Sequence, residues 1–324
     1  MRGEETGSRV FLGIESFRRH MSDEGWQLQA GMHEAGFDLW GRGLPNDSVD
    51  VPAILRAAKP DTVILQDKRE WNPSDVACID KSERFIGYEL LGRRNGMMRL
   101  TILKDVQHNV LDGYRTANIC GLHAWIVYYH PKMVKFLAPY VREHHLLRTY
   151  HSIDRDKVPE FADRSKRCLL SGASTEDVYP LRFKLFHANL EHIDKHKHPG
   201  YHANGSHTNS FLEKLAKYRV AICTASIYGY ALRKLIEATA CGCRVITDLP
   251  PDEVLPEIDG NLVRVSPNTP PKLVDALARE MSETWDYNVQ AEFARKAVEF
   301  YDYRRQTQKL AFDILALRRS INRR

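Results

Sequence analysis

The stretch SIYGYALRKLIEATACGCRVITDLP, Ser226 to Pro250, decides how this chain is read. It follows RVAIC (219–223), a short apolar run of the kind that fills a strand buried in a parallel sheet. TASIYG (224–229) is small and turn-prone, so backbone N–H groups there can approach a ligand. Tyr230 to Thr239 has helical spacing, with Leu232, Leu235 or Ile236, and Ala240 available for burial, and Gly242 stops it before the strand RVITD. A glycine turn that feeds a helix after a parallel strand is a ready anion site. The first-turn N–H groups are unpaired and the dipole is positive there. Arg233 and Lys234 add positive charge at that same end, against the dipole, which calls for an anionic partner to offset them. Glu237 lies one turn after Arg233 and has two readings. It is a surface i,i+4 ion pair, worth a few tenths of a kcal/mol. Alternatively, flanked by Ile236 and Ala238, it takes hydrogen bonds from a ligand, and a ribose diol supplies two.

Outward from this stretch the chain alternates strand-like and helix-like segments. RVFLGI (9–14), FDLW (37–40), DTVILQ (61–66), MRLTILKD (98–105) and WIVYYH (125–130) read as strands. Ser22-Asp23-Glu24 reads as a helix start before Leu28, Met32 and Ala35, with Gly36 as its stop, and Asp50-Val51-Pro52 opens a second helix. This rhythm predicts a doubly wound α/β domain over 1–150. RTYHSIDRDKVPEFADRSK (148–166) is polar and pattern-free, which predicts a linker over 151–166. A second βα series follows over 167–300: RCLLSGA (167–173), a helix in YPLRFKLFHANLEH, a His-rich loop, TNSFLEKLAKY, RVAIC, the opening stretch and VRV (263–265). PPKLVDALAREMSETW and the rest are helical, and residues 301–324 are expected to pack back on the first domain. The expectation is therefore α/β: two Rossmann-like doubly wound domains facing a cleft, with C-terminal helices, and with ligand between the C-terminal strand ends.

A chain of 324 residues suits two domains, and 43% hydrophobic with 27% charged residues suits a folded protein rather than a disordered one. No stretch approaches the roughly 20 apolar residues of a membrane span, and MRGEETGSRVFLGI has no secretory pattern, so a cytoplasmic location is expected. Cys78, Cys120, Cys168, Cys223, Cys241 and Cys243 are scattered without paired metal-binding spacing and read as buried free thiols. A formal charge of +5 suits an anionic ligand and permits nucleic acid without requiring it.

LIEATACGCRVITD resembles the C-terminal-domain signature of nucleotide-sugar glycosyltransferases with the GT-B fold, which runs roughly E-A-M-A-C-G-x-P-V-I. RCLLSGA with Arg182 and Lys184 beyond it resembles the first strand and phosphate-facing cations of the same domain, and DVPAILRAAKPDTVILQD resembles the N-domain lead-in. The resemblance implies that Glu237 binds the ribose of the donor. It places Gly172, Tyr230, Arg233 and Lys234 on the donor side with Arg182 and Lys184, and His198-Pro-Gly-Tyr201 around the nucleobase. Retaining relatives carry a second glutamate eight positions earlier, where this chain has Gly229, so sugar recognition and retention do not carry over. A cation within a turn before Glu237 is closer to the spore-maturation-type branch. The implied activity is transfer of a hexose from a UDP-type donor to an unidentified acceptor, with no further cofactor. Hydroxymethylated pyrimidine in DNA is one acceptor class this allows. A sugar-nucleotide epimerase and a non-catalytic nucleotide-binding module are the other classes compatible with two α/β domains.

Two N-domain loops follow strand ends. Asp105, with Lys104 and His108 beside it, is the first choice for a base or acceptor-orienting carboxylate, although the same residue reads more readily as a helix N-cap. Asp67 and Lys68 belong to the other loop. Glu15, Arg18 and Arg19 hold acceptor or form a solvated charged loop. His151, at the domain junction, reaches the donor phosphates or makes a buried linker contact. His196, His198, His202 and His207 lack zinc spacing, and no D-x-D follows a strand, so no metal is expected.

Overall fold

The computed structural model describes residues 7–15, 23–65, 85–93, 96–103, 121–128, 145–162, 164–197 and 207–321. The chain divides into two units: Met1–Tyr150 with Gln306–Arg324, and His151–Arg305.

The first unit holds a six-stranded parallel sheet: β1 (Arg9–Leu12), β2 (Asp38–Trp40), β3 (Thr62–Leu65), β4 (Met98–Leu103), β5 (Ala124–Val127) and β6 (His145–Arg148). Their spatial order is β2-β1-β3-β4-β5-β6. The fully buried runs β3 and β5 have the continuous apolar character that a central parallel strand requires. Helix α1 (Glu24–Glu34) ends at Gly36, whose φ of +87° is the left-handed stop the sequence suggested. In α2 (Val51–Ala58) Asp50 accepts from the Ala53 amide, and Pro52 sits in the first turn, where no hydrogen bond is lost.

The second unit holds β7 (Ser165–Gly172), α3 (Pro180–His187), β8 (Ile193–Lys197), α4 (His207–Leu215), β9 (Tyr218–Ile222), α5 (Arg233–Ala240), β10 (Arg244–Thr247), β11 (Leu262–Arg264), α6 (Pro271–Glu283) and α7 (Tyr287–Tyr301). Its five strands are parallel in the order β11-β10-β9-β7-β8. Cys168 and Leu170 of β7, Val220 and Ile222 of β9, and Ile246 of β10 pack with Leu181 and Leu185 of α3 and Val274, Ala278 and Met281 of α6 into one core. The last helix, α8 (Tyr303–Ile321), belongs to the first unit from Gln306 onward. Thr307 fills the space above Gly31 of α1, and Arg318 pairs with Asp61 at 2.8 Å.

Residues 151–166 make specific contacts with the second unit and the start of α8. Ile153 is bonded to Tyr301 and Tyr303 through the backbone, and Arg304 pairs with Asp154 and, at 2.8 Å, with Asp156. Phe161 stacks on Trp285, and the Arg164 guanidinium lies 4.3 Å from the Phe161 ring while donating to the Ala216 carbonyl at the end of α4. Asp154 and Asp156 are thus engaged with α8, and Arg164 with a helix C-terminus. Arg164, 9% exposed, is expected to carry much of this anchoring. Arg164→Ala should cost about 2 kcal/mol, read as a lower midpoint in a thermal melt; an unchanged midpoint refutes it.

Candidate functional site

The strand order of the second unit places a topological switch between β7 and β9. The chain leaves β7 toward β8 on one side, then crosses back to lay β9 on the other. Such a reversal opens a crevice at the carboxyl ends of the two strands. The groups at those ends are Gly172, closing β7, and Thr224, two residues past β9.

Arg182 of α3 spans the crevice. Its Nε donates to Thr224 Oγ1 at 2.9 Å, Nη2 to the Thr224 carbonyl at 3.0 Å, and Nη1 to the Ala173 carbonyl at 3.1 Å. The Tyr179 ring lies 3.9 Å beneath the guanidinium. These contacts hold a side chain that is 3% exposed, and burial pulls its affinity for a proton below the ordinary arginine value. A side-chain hydrogen bond with Tyr179 adds to these three, and the Nη1 end of the fork faces Gly172.

Lys234 approaches the same point from α5. A Cβ placed on Gly172 would lie 2.6 Å from Arg182 Nη1 and 2.9 Å from Lys234 Nζ, so both cations point at one glycine. Gly172 also has φ +129°, which side chains disfavour. Burial first, and then the neighbouring Arg182 charge, push the Lys234 ammonium down to about 8. Among the described residues Lys234 Nζ has no hydrogen-bond partner; its nearest ring is Phe211, at 5.4 Å. Gly172→Ala is expected to cost about 1–3 kcal/mol in stability through the strained φ. The added methyl should also cut anion affinity by at least about tenfold, because it fills the space in front of both cations. Unchanged affinity in a titration calorimeter refutes that.

Helix α5 starts at Arg233, three residues later than the sequence suggests, because Tyr230–Leu232 stay extended or looped. Arg233 and Lys234 are therefore its first two residues. Leu232, at the N-cap, has no side chain able to accept a first-turn amide, so that end is open to an anion. Arg233 Nε lies 3.2 Å from Glu237 Oε1, and the two side chains are only 10% and 8% exposed. The i,i+4 pair exists, but it is buried rather than on the surface.

The loop from Thr224 to Leu232 is fixed by its own contacts. The Ala225 amide donates to Asp248 Oδ1 at 2.6 Å, and the Ile227 amide to the Val178 carbonyl at 2.9 Å. Burial raises the Asp248 carboxyl above its usual range, and the Ala225 amide opposes that shift. Tyr230 is buried with its ring parallel to Tyr228, centroids 6.4 Å apart. Cys223 below the loop is pushed up to about 12 by burial, so it is no nucleophile.

Of the residues selected from sequence, Gly172, Arg182 and Lys234 converge, with Arg233 and Glu237 on the same helix as Lys234. Lys184 does not join them. It is exposed on α3, two residues and about 200° around the helix from Arg182, and the cation beside Arg182 at Gly172 is Lys234. His151 is half-buried at the first residue of the second unit. Glu15 is half-buried after β1, its side chain facing Gly43. Asp105, His108, Arg18, Arg19, His198 and Tyr201 lie outside the described residues, as do Lys104, Asp67 and Lys68. Sequence reasoning missed Thr224, Tyr179 and Asp248. Their only local signals are the small TAS run and a position just past a strand. Among the described residues no three His, Cys, Asp or Glu side chains gather as a metal site would need.

Two parallel doubly wound units of this kind make the GT-B fold, the fold of many nucleotide-sugar glycosyltransferases. Solved structures with the same fold include a sucrose-phosphate synthase of Thermosynechococcus elongatus, with TM-score 0.61 and 10% identity over 97% of this chain and 99% of that one. The HepE protein of Anabaena, solved with UDP, has TM-score 0.57 and 10% identity over 95% and 100% of the two chains. An α-glucosyltransferase solved with UDP and a 13-mer DNA containing an HMU base has TM-score 0.52 and 10% identity over 96% and 99%. No family model matches the sequence, and no curated protein matches it.

Proposed function

We propose that this protein is a glycosyltransferase that moves a hexose from a UDP-type nucleotide sugar to an acceptor hydroxyl, with the donor diphosphate held at the crevice of the second unit. The observation that carries this is the pair of cations, buried Arg182 and half-buried Lys234, aimed at Gly172 at a topological switch point, with Lys234 lacking any hydrogen-bond partner among the described residues. Two like charges held this close are unfavourable until an anion bridges them. A diphosphate supplies oxygens for both cations and for the α5 N-terminus together. Glu237, one turn along the same helix, would take the ribose hydroxyls as the resemblance implies, with Arg233 paired to it at 3.2 Å.

In the transfer, the bond from the sugar C1 to the diphosphate oxygen breaks and its electrons stay on the leaving diphosphate. Arg182, Lys234 and the helix N-terminus stabilise that developing charge. The acceptor oxygen bonds to C1 and gives up its proton. Asp105 and His108 remain the assigned candidates to receive it.

The test is incubation of the protein with UDP-hexose and a panel of acceptors: small alcohols, peptides, lipids, and DNA with and without hydroxymethylated pyrimidine. UDP release that requires one acceptor class supports transfer. Interconversion of the sugar without acceptor identifies an epimerase, and UDP binding without turnover identifies a binding module. Product on modified DNA alone, falling steeply with salt, assigns the acceptor.

A further inference from the structure

The segment KHKHPGYHANGSHTNSFL, Lys195 to Leu212, holds four histidines and two lysines and no aspartate or glutamate. One of these histidines lies beside the crevice. His196 is the fourth residue of β8 and pairs in register with Ser171, the residue before Gly172. Its ring is half-buried, and Nδ1 lies 3.1 Å from the Lys214 ammonium of α4. An ammonium only donates, so Nδ1 accepts and the neutral ring carries its proton on Nε2. Burial first, and then the Lys214 and Lys234 charges, hold His196 below the ordinary histidine value. The carboxylates of the neighbouring elements are engaged elsewhere. Asp194, two residues back on β8, accepts from Arg167 at 2.7 Å and is hydrogen-bonded to Tyr218. Glu237 of α5 faces Arg233 at 3.2 Å. Ser171 of β7 and Phe211, three residues before Lys214 on α4, bring no charge. Lys214 therefore gives an N–H to a neutral imidazole that offsets none of its charge.

We propose that His196 and Lys214 extend the anion site of the second unit along β8, and that His196 takes up a proton when a nucleotide diphosphate binds. This rests on the nucleotide site proposed above and adds two contacts and a pH coupling to it. An anion held by Lys234 cancels a charge that opposes protonation of the ring, so His196 binds a proton more readily with ligand than without. By linkage the ligand binds more tightly to the protonated ring, and affinity rises as pH falls. The rise is confined to the window between the low value of the free ring and the raised value of the liganded one. Above that window His196 is neutral in both states and has no effect. Lys234, at about 8, stays charged throughout it.

Calorimetric titration of the full chain with UDP-glucose, whose diphosphate diester keeps one charge state over the range, tests this. Affinity is expected to rise at least about tenfold from about pH 7.5 to about pH 5.5. Titrations in two buffers of different ionisation enthalpy should show net proton uptake near about pH 6. His196→Gln keeps an acceptor for Lys214 and an N–H donor but cannot titrate. It should bind within about threefold of wild type at about pH 7.5 and lose both the rise and the proton uptake. Lys214→Met should weaken binding about tenfold and move the rise to higher pH, because one of the two charges opposing protonation is gone. Affinity that stays flat across this range, or a rise that survives in His196→Gln, overturns the proposal and leaves the nucleotide site standing. Failure of both UDP-glucose and pyrophosphate to bind at any pH removes that site, and the proposal with it.

Discussion

Lys234→Met is expected to weaken UDP binding by roughly a hundredfold and, at the same time, to make the protein more stable. The first effect follows from removing a charge that has no partner but the ligand; such losses run about 3 kcal/mol. The second follows from linkage. Burial lowers the Lys234 ammonium to about 8 in the folded protein, against the ordinary lysine value of 10.5. The folded state therefore binds this proton less tightly than the unfolded chain does. The penalty is full below pH 8, fades between pH 8 and 10.5, and is gone above. Lys234 is half-buried, so solvent screening reduces the penalty, and methionine is expected to recover about 1–2 kcal/mol at pH 7. UDP affinity of the wild type should fall as pH rises through about 8, while the methionine variant shows no such step. Calorimetric titration across pH 6.5–9.5, with thermal melts of both proteins, reads all three effects. A variant that binds UDP normally, or that is destabilised, removes Lys234 from the anion site.

Glu237→Gln should separate the sugar contact from the phosphate contact. Glutamine keeps the volume but gives up the charge, so it accepts hydrogen bonds from a diol more weakly, and UDP affinity is expected to drop about 10- to 100-fold. Pyrophosphate, which has no ribose, should bind as well or better, because Arg233 and Lys234 lose the carboxylate that offsets them. A parallel loss for both ligands, or none for UDP, excludes the ribose role. Glu237→Ala is the wrong variant for this purpose. It leaves Arg233 10% exposed with its carboxylate gone, a change that costs about 3–5 kcal/mol in stability by itself.

The alternation of apolar runs with helical spacing was enough to place nine of the eleven described strands. The two overlooked, HLLR at β6 and IDKHK at β8, share a cause. Each is an edge strand with one neighbour, half in solvent, so charged and histidine side chains replace the continuous β-branched run of a central strand. The contacts made by 151–166 were not legible for a related reason. Asp154 and Asp156 are matched by Arg304, which lies nearly 150 residues away in sequence, and no local pattern signals a partner at that distance.

At the site, the chain order alone supplied the β-strand, turn and helix around Glu237, because a glycine-bounded helix after a buried strand is a local property of spacing. It also supplied Gly172 and Arg182. The sequence put both Lys184 and Lys234 on the donor side; that Lys234, and not Lys184, meets Arg182 over Gly172 belonged to the tertiary structure. Side chains two apart on a helix diverge, whereas parallel strands bring the ends of β7 and β9 side by side, so residues more than 50 positions apart meet over one glycine. Whether Arg233 and Glu237 form a surface pair or a buried one was likewise undecided in the sequence, since the same i,i+4 spacing serves both, and burial is set by what packs above the helix.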